Sequence, residues 1–275
     1  MYLDDIETVE IELTNLCNAG CPLCFRHNND IILNSINIDK LLQFLSKLKN
    51  LNKIILCGNS GEPTQHKEII KFLSSLSVYV EIYSNGNIQK RTLHSLSQAL
   101  PSRHIIEIAI DGIDNKTQQI SRPGRKLEAI DKNIEYMNTN GINVRVVFTR
   151  YLHNENQEDA MRKKYDNLKV RDTRYTSSKL KYPSDFSTYI IPADKVFKDK
   201  PQFNRVFKLK PKYTKYIFVS EIGNIYPCDV IARRTTKTKY NIDNYEMIQL
   251  EDQESQCNSI TTSLNGCMYT CKYDL

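Results

Sequence analysis

The chain has 275 residues, of which 40% are hydrophobic and 25% charged, and its net charge is +6. This length suits one large globular domain, alone or with a small appendage. No apolar run reaches the ~20 residues of a membrane-spanning helix, and residues 1–5 lack the basic and apolar regions of a signal peptide. We therefore expect a cytoplasmic protein without a membrane partner, whose eight cysteines are thiols or metal ligands.

Short apolar runs alternate with amphipathic stretches as far as residue 175. The predicted strands are 9–13, 53–56, 78–83, 105–110, 143–148 and 169–175, and the predicted helices are 39–48, 67–76, 91–100, 126–138 and 157–164. Strands that alternate with helices indicate βαβ units and a parallel sheet. About six such units predict an α/β fold, a partial (β/α)6 TIM-like barrel with its site at the C-terminal ends of the strands.

The pattern changes after residue 175. Residues 176–215 are rich in Lys and Tyr and have no clear period, and residues 216–228 predict a hairpin around Gly223-Asn224. We therefore divide the chain into a barrel core (1–175), a basic connecting segment (176–215) and a small cysteine-rich region (216–275). Residues 162–215 hold sixteen Lys and Arg against five Asp. Coding bias toward A/T explains abundant lysine, whereas a functional basic surface also explains the scarcity of acids.

Three cysteines follow the first predicted strand directly. Cys17, Cys21 and Cys24 have the spacing C-x3-C-x2-C in a loop that contains Gly and Pro. Thiolates are the usual ligands of iron–sulfur clusters, and a cubane takes four. Three local cysteines would leave one iron open for catalysis. The alternative is a zinc site that borrows a fourth ligand such as His27.

The cysteine triplet resembles the cluster motif of the radical SAM superfamily, whose members cleave S-adenosylmethionine (SAM) reductively. Later strand ends are also similar to that family: a glycine–glutamate motif at 58–63, Ser-Asn-Gly at 84–86 and an Asp-Gly strand end at 111–112. Two positions differ, since Leu23 replaces the usual aromatic residue and Ala109 the usual serine. The resemblance implies that Cys17, Cys21 and Cys24 are catalytic cluster ligands. It also implies SAM contacts from Phe25, Gly58, Ser60, Gly61, Glu62, Ser84, Asn85, Asp111 and Arg122.

The C-terminal region holds the cysteines Cys228, Cys257, Cys267 and Cys271. The segment from Gly223 to Cys228 resembles the hairpin of SPASM and Twitch extensions, which carry auxiliary iron–sulfur clusters in many radical SAM enzymes. The resemblance implies that these four cysteines bind a second 4Fe–4S cluster. A structural zinc ion held by the same thiolates is the alternative. Cys57 ends an apolar strand, and we expect it to be a buried small hydrophobe.

The resemblance implies an enzyme with SAM, a catalytic 4Fe–4S cluster, an auxiliary cluster and a reductant such as flavodoxin or ferredoxin. Three hypotheses about its function remain open. The substrate is a peptide, protein or small polar metabolite; or it is a nucleotide, nucleotide-sugar or RNA bound by the basic segment; or the chain is a zinc-stapled binding protein without redox chemistry.

Overall fold

A computed structural model describes residues 3–22, 24, 26, 32–58, 60–172, 215–226 and 241–243. Its centre is one sheet in the order β6-β5-β4-β3-β2-β1-β7-β8. The first six strands are parallel and follow chain order. They are β1 (Thr8–Ile11), β2 (Lys53–Leu56), β3 (Tyr79–Ser84), β4 (His104–Ala109), β5 (Val144–Arg150) and β6 (Leu168–Asp172). This arrangement confirms the predicted α/β partial barrel.

Helices connect these strands along one side of the sheet. They are α1 (Ile38–Leu45), α2 (Ile69–Ser74), α3 (Lys90–Ala99), α4 (Asn115–Ser121), α5 (Leu127–Thr139) and α6 (Glu158–Lys164). The five predicted helices are present, and α4 is an addition. Its start is stabilised by Asp114, whose Oδ1 accepts a hydrogen bond of 2.8 Å from the Thr117 backbone N–H.

The sheet has two chemically different faces because successive side chains of a strand point in opposite directions. On the helix side, residues such as Val9, Ile54 and Ile106 are fully buried among Leu41, Phe72 and other helix residues. The opposite face, here called the inner face, carries alternate residues that include several glutamates, arginines and tyrosines. Burying apolar surface on the helix side drives folding, and the inner face is left for polar chemistry.

The predicted hairpin forms and extends the same sheet. Strand β7 (Tyr216–Val219) runs parallel to β1, and β8 (Ile225–Tyr226) pairs antiparallel with β7. Gly223 has φ +80° in the connecting turn, a conformation that favours glycine. Residues 176–214 of the predicted connecting segment lie outside the described residues, as does most of the cysteine-rich region. Among the described helices, none is long and apolar enough to cross a membrane.

Candidate functional site

The cysteine triplet lies where β1 ends, at the C-terminal edge of the sheet. Cys17, Cys21 and Cys24 are each partly buried, and the Cys24 backbone N–H donates to the Cys21 carbonyl at 3.0 Å. The loop begins at Thr14, which forms an isolated antiparallel bridge with Ser35. This contact brackets the loop between β1 and the segment that leads to α1.

The protein environment favours neutral thiols in the metal-free chain. Burial raises the pKa of both Cys17 and Cys24 above the ordinary value for cysteine. Metal binding would displace those protons, because the thiolate is the ligand. Within the described ranges, no three His, Cys, Asp or Glu side chains converge on a position for a single ion. A cubane does not require this, since each thiolate binds a different iron atom.

Two glycines shape the loop after β2, and one of them lets this loop lie against the loop after β1. A Cβ at Gly61 would stand 1.7 Å from the Thr14 carbonyl oxygen, and one at Gly58 would stand 1.9 Å from the Gly61 carbonyl oxygen. Neither distance is possible without moving the backbone. Both glycines therefore have a packing role: Gly58 allows the close approach within the glycine–glutamate segment, and Gly61 lets that segment lie on the start of the cysteine loop.

A buried glutamate on the first strand's extension fixes the same contact. Glu12 Oε1 accepts hydrogen bonds from the Ser60 backbone N–H (2.7 Å), the Ser60 hydroxyl (2.8 Å) and the Gly61 backbone N–H (3.2 Å). The Ser60 hydroxyl, which the resemblance assigns to SAM, donates to Glu12 in this structure, and its role toward SAM stays a prediction. Sequence reasoning missed Glu12, although an acid within an apolar strand was a signal of a specific role.

Glu62 is the buried anion of the site, with 2% of its surface exposed. Its Oε1 accepts from the hydroxyls of Thr64 (2.8 Å) and Ser84 (3.0 Å), and its Oε2 accepts from the Asn85 backbone N–H (2.7 Å). Burial raises the pKa of Glu62, and these hydrogen bonds partly oppose the shift. Among the described residues, Glu62 forms no ion pair. Its carboxylate is thus positioned by neutral donors alone.

Asn85 joins the components of the site. Its backbone N–H bonds to Glu62, and its side-chain Nδ2 lies 3.7 Å from the Cys17 sulfur and 2.8 Å from Asn18 Oδ1. Its carbonyl oxygen accepts from Arg125 Nη1 at 2.5 Å. One residue, Asn85, therefore bonds through its N–H to a buried carboxylate and through its carbonyl oxygen to a buried guanidinium, beside Cys17.

Arg125 is the residue that sequence reasoning missed. It is 2% exposed, and its Nε and Nη2 atoms have no hydrogen-bond partner in the described part of the chain. Burial lowers its pKa and the nearby Arg122 adds to this effect, whereas Cys21, Glu62 and Cys17 oppose it. Burying a cation whose N–H donors lack acceptors costs free energy unless a ligand binds it. The geometry thus makes Arg125 a candidate for ligand binding.

Arg122 and Asp111 form an ion pair with each other. Arg122 Nε donates to Asp111 Oδ2 at 2.5 Å, and the same carboxylate accepts from the Ser121 hydroxyl and the Thr149 backbone N–H. Burial would lower the pKa of Arg122, but Asp111 holds it above its ordinary value. Asp111 is fully buried. Asp111 and Arg122 therefore tie β4 to α4 and β5, and their predicted SAM contacts stay predictions.

Several predictions fall outside the described residues and stay predictions. They concern Phe25, Leu23 and His27 near the first cysteines, and the late cysteines Cys228, Cys257, Cys267 and Cys271. Cys57 is described, and its burial is confirmed: it is 3% exposed and packs with Phe218 and Tyr226.

These features agree with a family assignment. The sequence profile of the radical SAM superfamily matches residues 11–163, and the matched region contains the cysteine triplet, Glu62, Asn85 and Arg125. The match covers more than half of the chain. The chain therefore belongs to the radical SAM superfamily and is a radical SAM enzyme, with SAM and a catalytic 4Fe–4S cluster as the cofactors that membership implies.

Individual relatives are more distant. Probable GTP 3',8-cyclases of Pyrococcus abyssi and Pyrococcus horikoshii are each 26% identical over 138 and 136 residues, which is 47% of this chain. The chain covers only 43% and 42% of the length of these relatives. Their name describes their own activity, and the partial coverage gives this chain no substrate.

Solved structures show the same fold. Streptococcus suis SuiB bound to S-adenosylmethionine matches with a TM-score of 0.65 at 16% identity. The match covers 95% of this chain and 73% of the SuiB chain. SuiB bound to precursor peptide SuiA also has a TM-score of 0.65 at 16% identity, over 93% and 67%. Native anSMEcpe with bound AdoMet and Kp18Cys peptide has a TM-score of 0.61 at 15% identity, over 93% and 83%.

The residues present fit the two cofactors. The methionine end of SAM carries an ammonium and a carboxylate, and the site holds a buried anion and a buried cation that are unpaired among the described residues. Buried charges in proteins are normally paired or bound to a ligand. The three cysteines supply the donors that an iron–sulfur cluster takes.

Proposed function

We propose that this chain cleaves SAM reductively and uses the radical to oxidise or crosslink a peptide, protein or small polar metabolite, with an auxiliary cluster assisting. When bound, the reduced cluster and SAM together supply a 5′-deoxyadenosyl radical that abstracts hydrogen from a C–H bond. The protein's own residues bind, orient and shield these groups.

One observation carries the proposal: the oppositely charged, buried Glu62 and Arg125 flank the Asn85 peptide next to Cys17. Glu62 would accept hydrogen bonds from the SAM ammonium. Arg125 has Nε and Nη2 atoms without a hydrogen-bond partner in the described part of the chain. They would donate to the SAM carboxylate in the forked geometry that a guanidinium offers. We assign this second role to Arg125 rather than Arg122, because Arg122 is engaged by Asp111.

The remaining residues would orient these groups. The Ser84 hydroxyl and the Thr64 hydroxyl hold the Glu62 carboxylate, and Asn85 Nδ2 donates toward Cys17. Such fixed hydrogen bonds pre-organise a site and remove the need to reorder it on binding. Burial of Glu62 and Arg125 also excludes water, which strengthens charge interactions with the ligand.

The proposed substrate class rests on fold relatives. Two of the similar structures, SuiB and anSMEcpe, contain a bound peptide, which supports a peptide or protein substrate. Cys228, Cys257, Cys267 and Cys271 match the number of ligands of one auxiliary 4Fe–4S cluster. A nucleotide substrate is the second candidate, supported by the relatives named GTP 3',8-cyclase and by the basic character of residues 162–215.

Anaerobic SAM cleavage tests the proposal. The reconstituted protein, reduced with dithionite, should form 5′-deoxyadenosine and methionine from SAM. Cys17→Ala should abolish the product because it removes a cluster ligand. Cys57→Ala is the matched control, since that buried cysteine packs against Phe218 and Tyr226. Equal product from wild type and Cys17→Ala would reject the proposed chemistry.

A further inference from the structure

A second charged cluster lies on the inner face of the sheet, apart from the cysteines. The Glu107 carboxylate of β4 is almost fully buried and contacts three cations on β5 and β6. Arg145 Nη1 lies 3.0 Å from its Oε1, Lys169 Nζ lies 2.8 Å from the same oxygen, and Arg171 Nη2 lies 2.6 Å from Oε2.

This cluster carries more positive charge than its carboxylate neutralises. Three cations against one anion leave these four side chains with a net charge of +2, and no other ion pair of Arg145, Lys169 or Arg171 is found among the described residues. Of the two neighbouring carboxylates on the inner face, Glu81 pairs with Lys53 and Glu10 accepts a hydrogen bond from the Tyr216 hydroxyl. Holding one buried carboxylate requires a single cation, and gathering three like charges is unfavourable in itself. The surplus points to an anionic ligand as the missing component.

The cations are accessible to such a ligand. The side chains of Arg145, Lys169 and Arg171 are 33%, 39% and 41% exposed, whereas Glu107 is 1% exposed. The carboxylate therefore anchors the cations from beneath and leaves part of each available. The Arg171 guanidinium also lies 5.4 Å from the centre of the Tyr83 ring, a cation–π distance that limits its orientation.

The cluster shares a face with the proposed SAM site. Side chains two residues apart on a strand point the same way, so Tyr83 of β3 and Glu107 of β4 lie on the inner face, and Asn85 and Asp111 follow the C-terminal ends of these two strands. Between Glu107 and the C-terminal end of β4, the only inner-face residue of that strand is Ala109, whose side chain is a single methyl group. A ligand on the cations would therefore extend toward the cysteine loop.

We propose that Arg145, Lys169 and Arg171 bind a phosphate group of the substrate. A local charge of +2 matches a phosphate dianion better than a single carboxylate, and arginine binds phosphate oxygens bidentately. This inference concerns the substrate of the proposed radical chemistry and rests on that function. It favours a phosphorylated metabolite or nucleotide within the substrate classes given above.

Direct anion binding tests the proposal without relying on turnover. Inorganic phosphate is titrated into the anaerobic, cluster-loaded full-length protein with SAM present, and the 31P line width reports binding; acetate at equal ionic strength is the comparison. Arg171→Gln and Lys169→Gln should each weaken phosphate binding about tenfold, since each removes a charged hydrogen bond. Glu107→Gln should strengthen it, because the competing anion is removed.

Lys49→Gln is the matched control, because Lys49 is exposed and pairs with Asp4 away from the inner face; it should bind phosphate as the wild type does. Thermal unfolding identifies any variant that fails to fold. Arg171→Lys, which keeps the charge but loses the bidentate geometry, should bind phosphate more tightly than Arg171→Gln and less tightly than the wild type. Equal affinity in Arg171→Gln and Lys49→Gln, or acetate binding as tight as phosphate, would overturn the proposal. SAM cleavage without phosphate binding would reject this site alone, whereas phosphate binding without cleavage would reject the radical function.

Discussion

Replacing Arg125 with methionine should weaken SAM binding while leaving the fold intact. A hydrogen bond to a charged group contributes about 1.5–3 kcal/mol, so loss of the carboxylate contact predicts a roughly 10- to 150-fold higher Kd for SAM. The assay is equilibrium dialysis of radiolabelled SAM against the anaerobic, cluster-loaded protein. The Kd of the oxidised protein reports binding without requiring catalysis.

The free energy of unfolding should change little in Arg125→Met, whereas replacing an arginine that stabilises the fold would lower it. Arg125→Met loses the 2.5 Å bond to the Asn85 carbonyl, but it also removes a buried cation with two idle nitrogen atoms. These effects offset each other, and the SAM-free free energy of unfolding should change by less than about 1 kcal/mol.

Arg122→Met is the matched comparison, because it leaves the buried Asp111 without its cation. It should lower the free energy of unfolding by about 3–5 kcal/mol and change the SAM Kd of the folded protein little. A normal SAM Kd in Arg125→Met, together with a raised Kd in folded Arg122→Met, would refute the assignment.

Three further predictions concern the same site. Burial raises the pKa of Glu62, so the contribution of Glu62 to the SAM-free free energy of unfolding is lost as the pH rises from the ordinary glutamate range through the raised pKa. Glu62→Gln should abolish this pH dependence in denaturant titrations. The same variant should weaken SAM binding. Gly61→Ala should lower the free energy of unfolding by about 1–3 kcal/mol and lower the amount of bound iron, because its Cβ would meet the Thr14 carbonyl. Gly20→Ala is the control: a Cβ there meets nothing within 4 Å, so this variant should bind as much iron as the wild type. Cys267→Ala should retain part of SAM cleavage and stop substrate turnover, and unchanged turnover would remove the auxiliary cluster from the mechanism.

The sequence predicted the sheet well because each parallel strand is a short apolar run that ends in a polar or glycine-rich turn. Those turns meet at one edge of a parallel sheet, so Cys17, Glu62 and Asn85 could be placed together before any coordinates were known. Helix α4 was missed because its seven residues are mostly polar, with no apolar stripe to reveal a helical period.

The sequence could not choose between the two arginines after β4. Arg122 and Arg125 flank a Pro123-Gly124 turn, and Gly124 has φ +80°, so the chain reverses direction between them. Which side chain meets Asp111 and which reaches Asn85 depends on that turn and on contacts from β3 and β5. The three cations around Glu107 were equally hidden, since they meet only through the register of β4, β5 and β6.

Metal analysis after anaerobic purification tests the central claim most directly. Iron, sulfide and zinc are quantified in the wild type and in the Cys17/Cys21/Cys24 triple alanine variant. Two cubanes predict about eight irons with matching sulfide in the wild type and about four in the variant. Zinc without sulfide in the wild type would contradict the radical chemistry and favour a zinc-stapled binding protein.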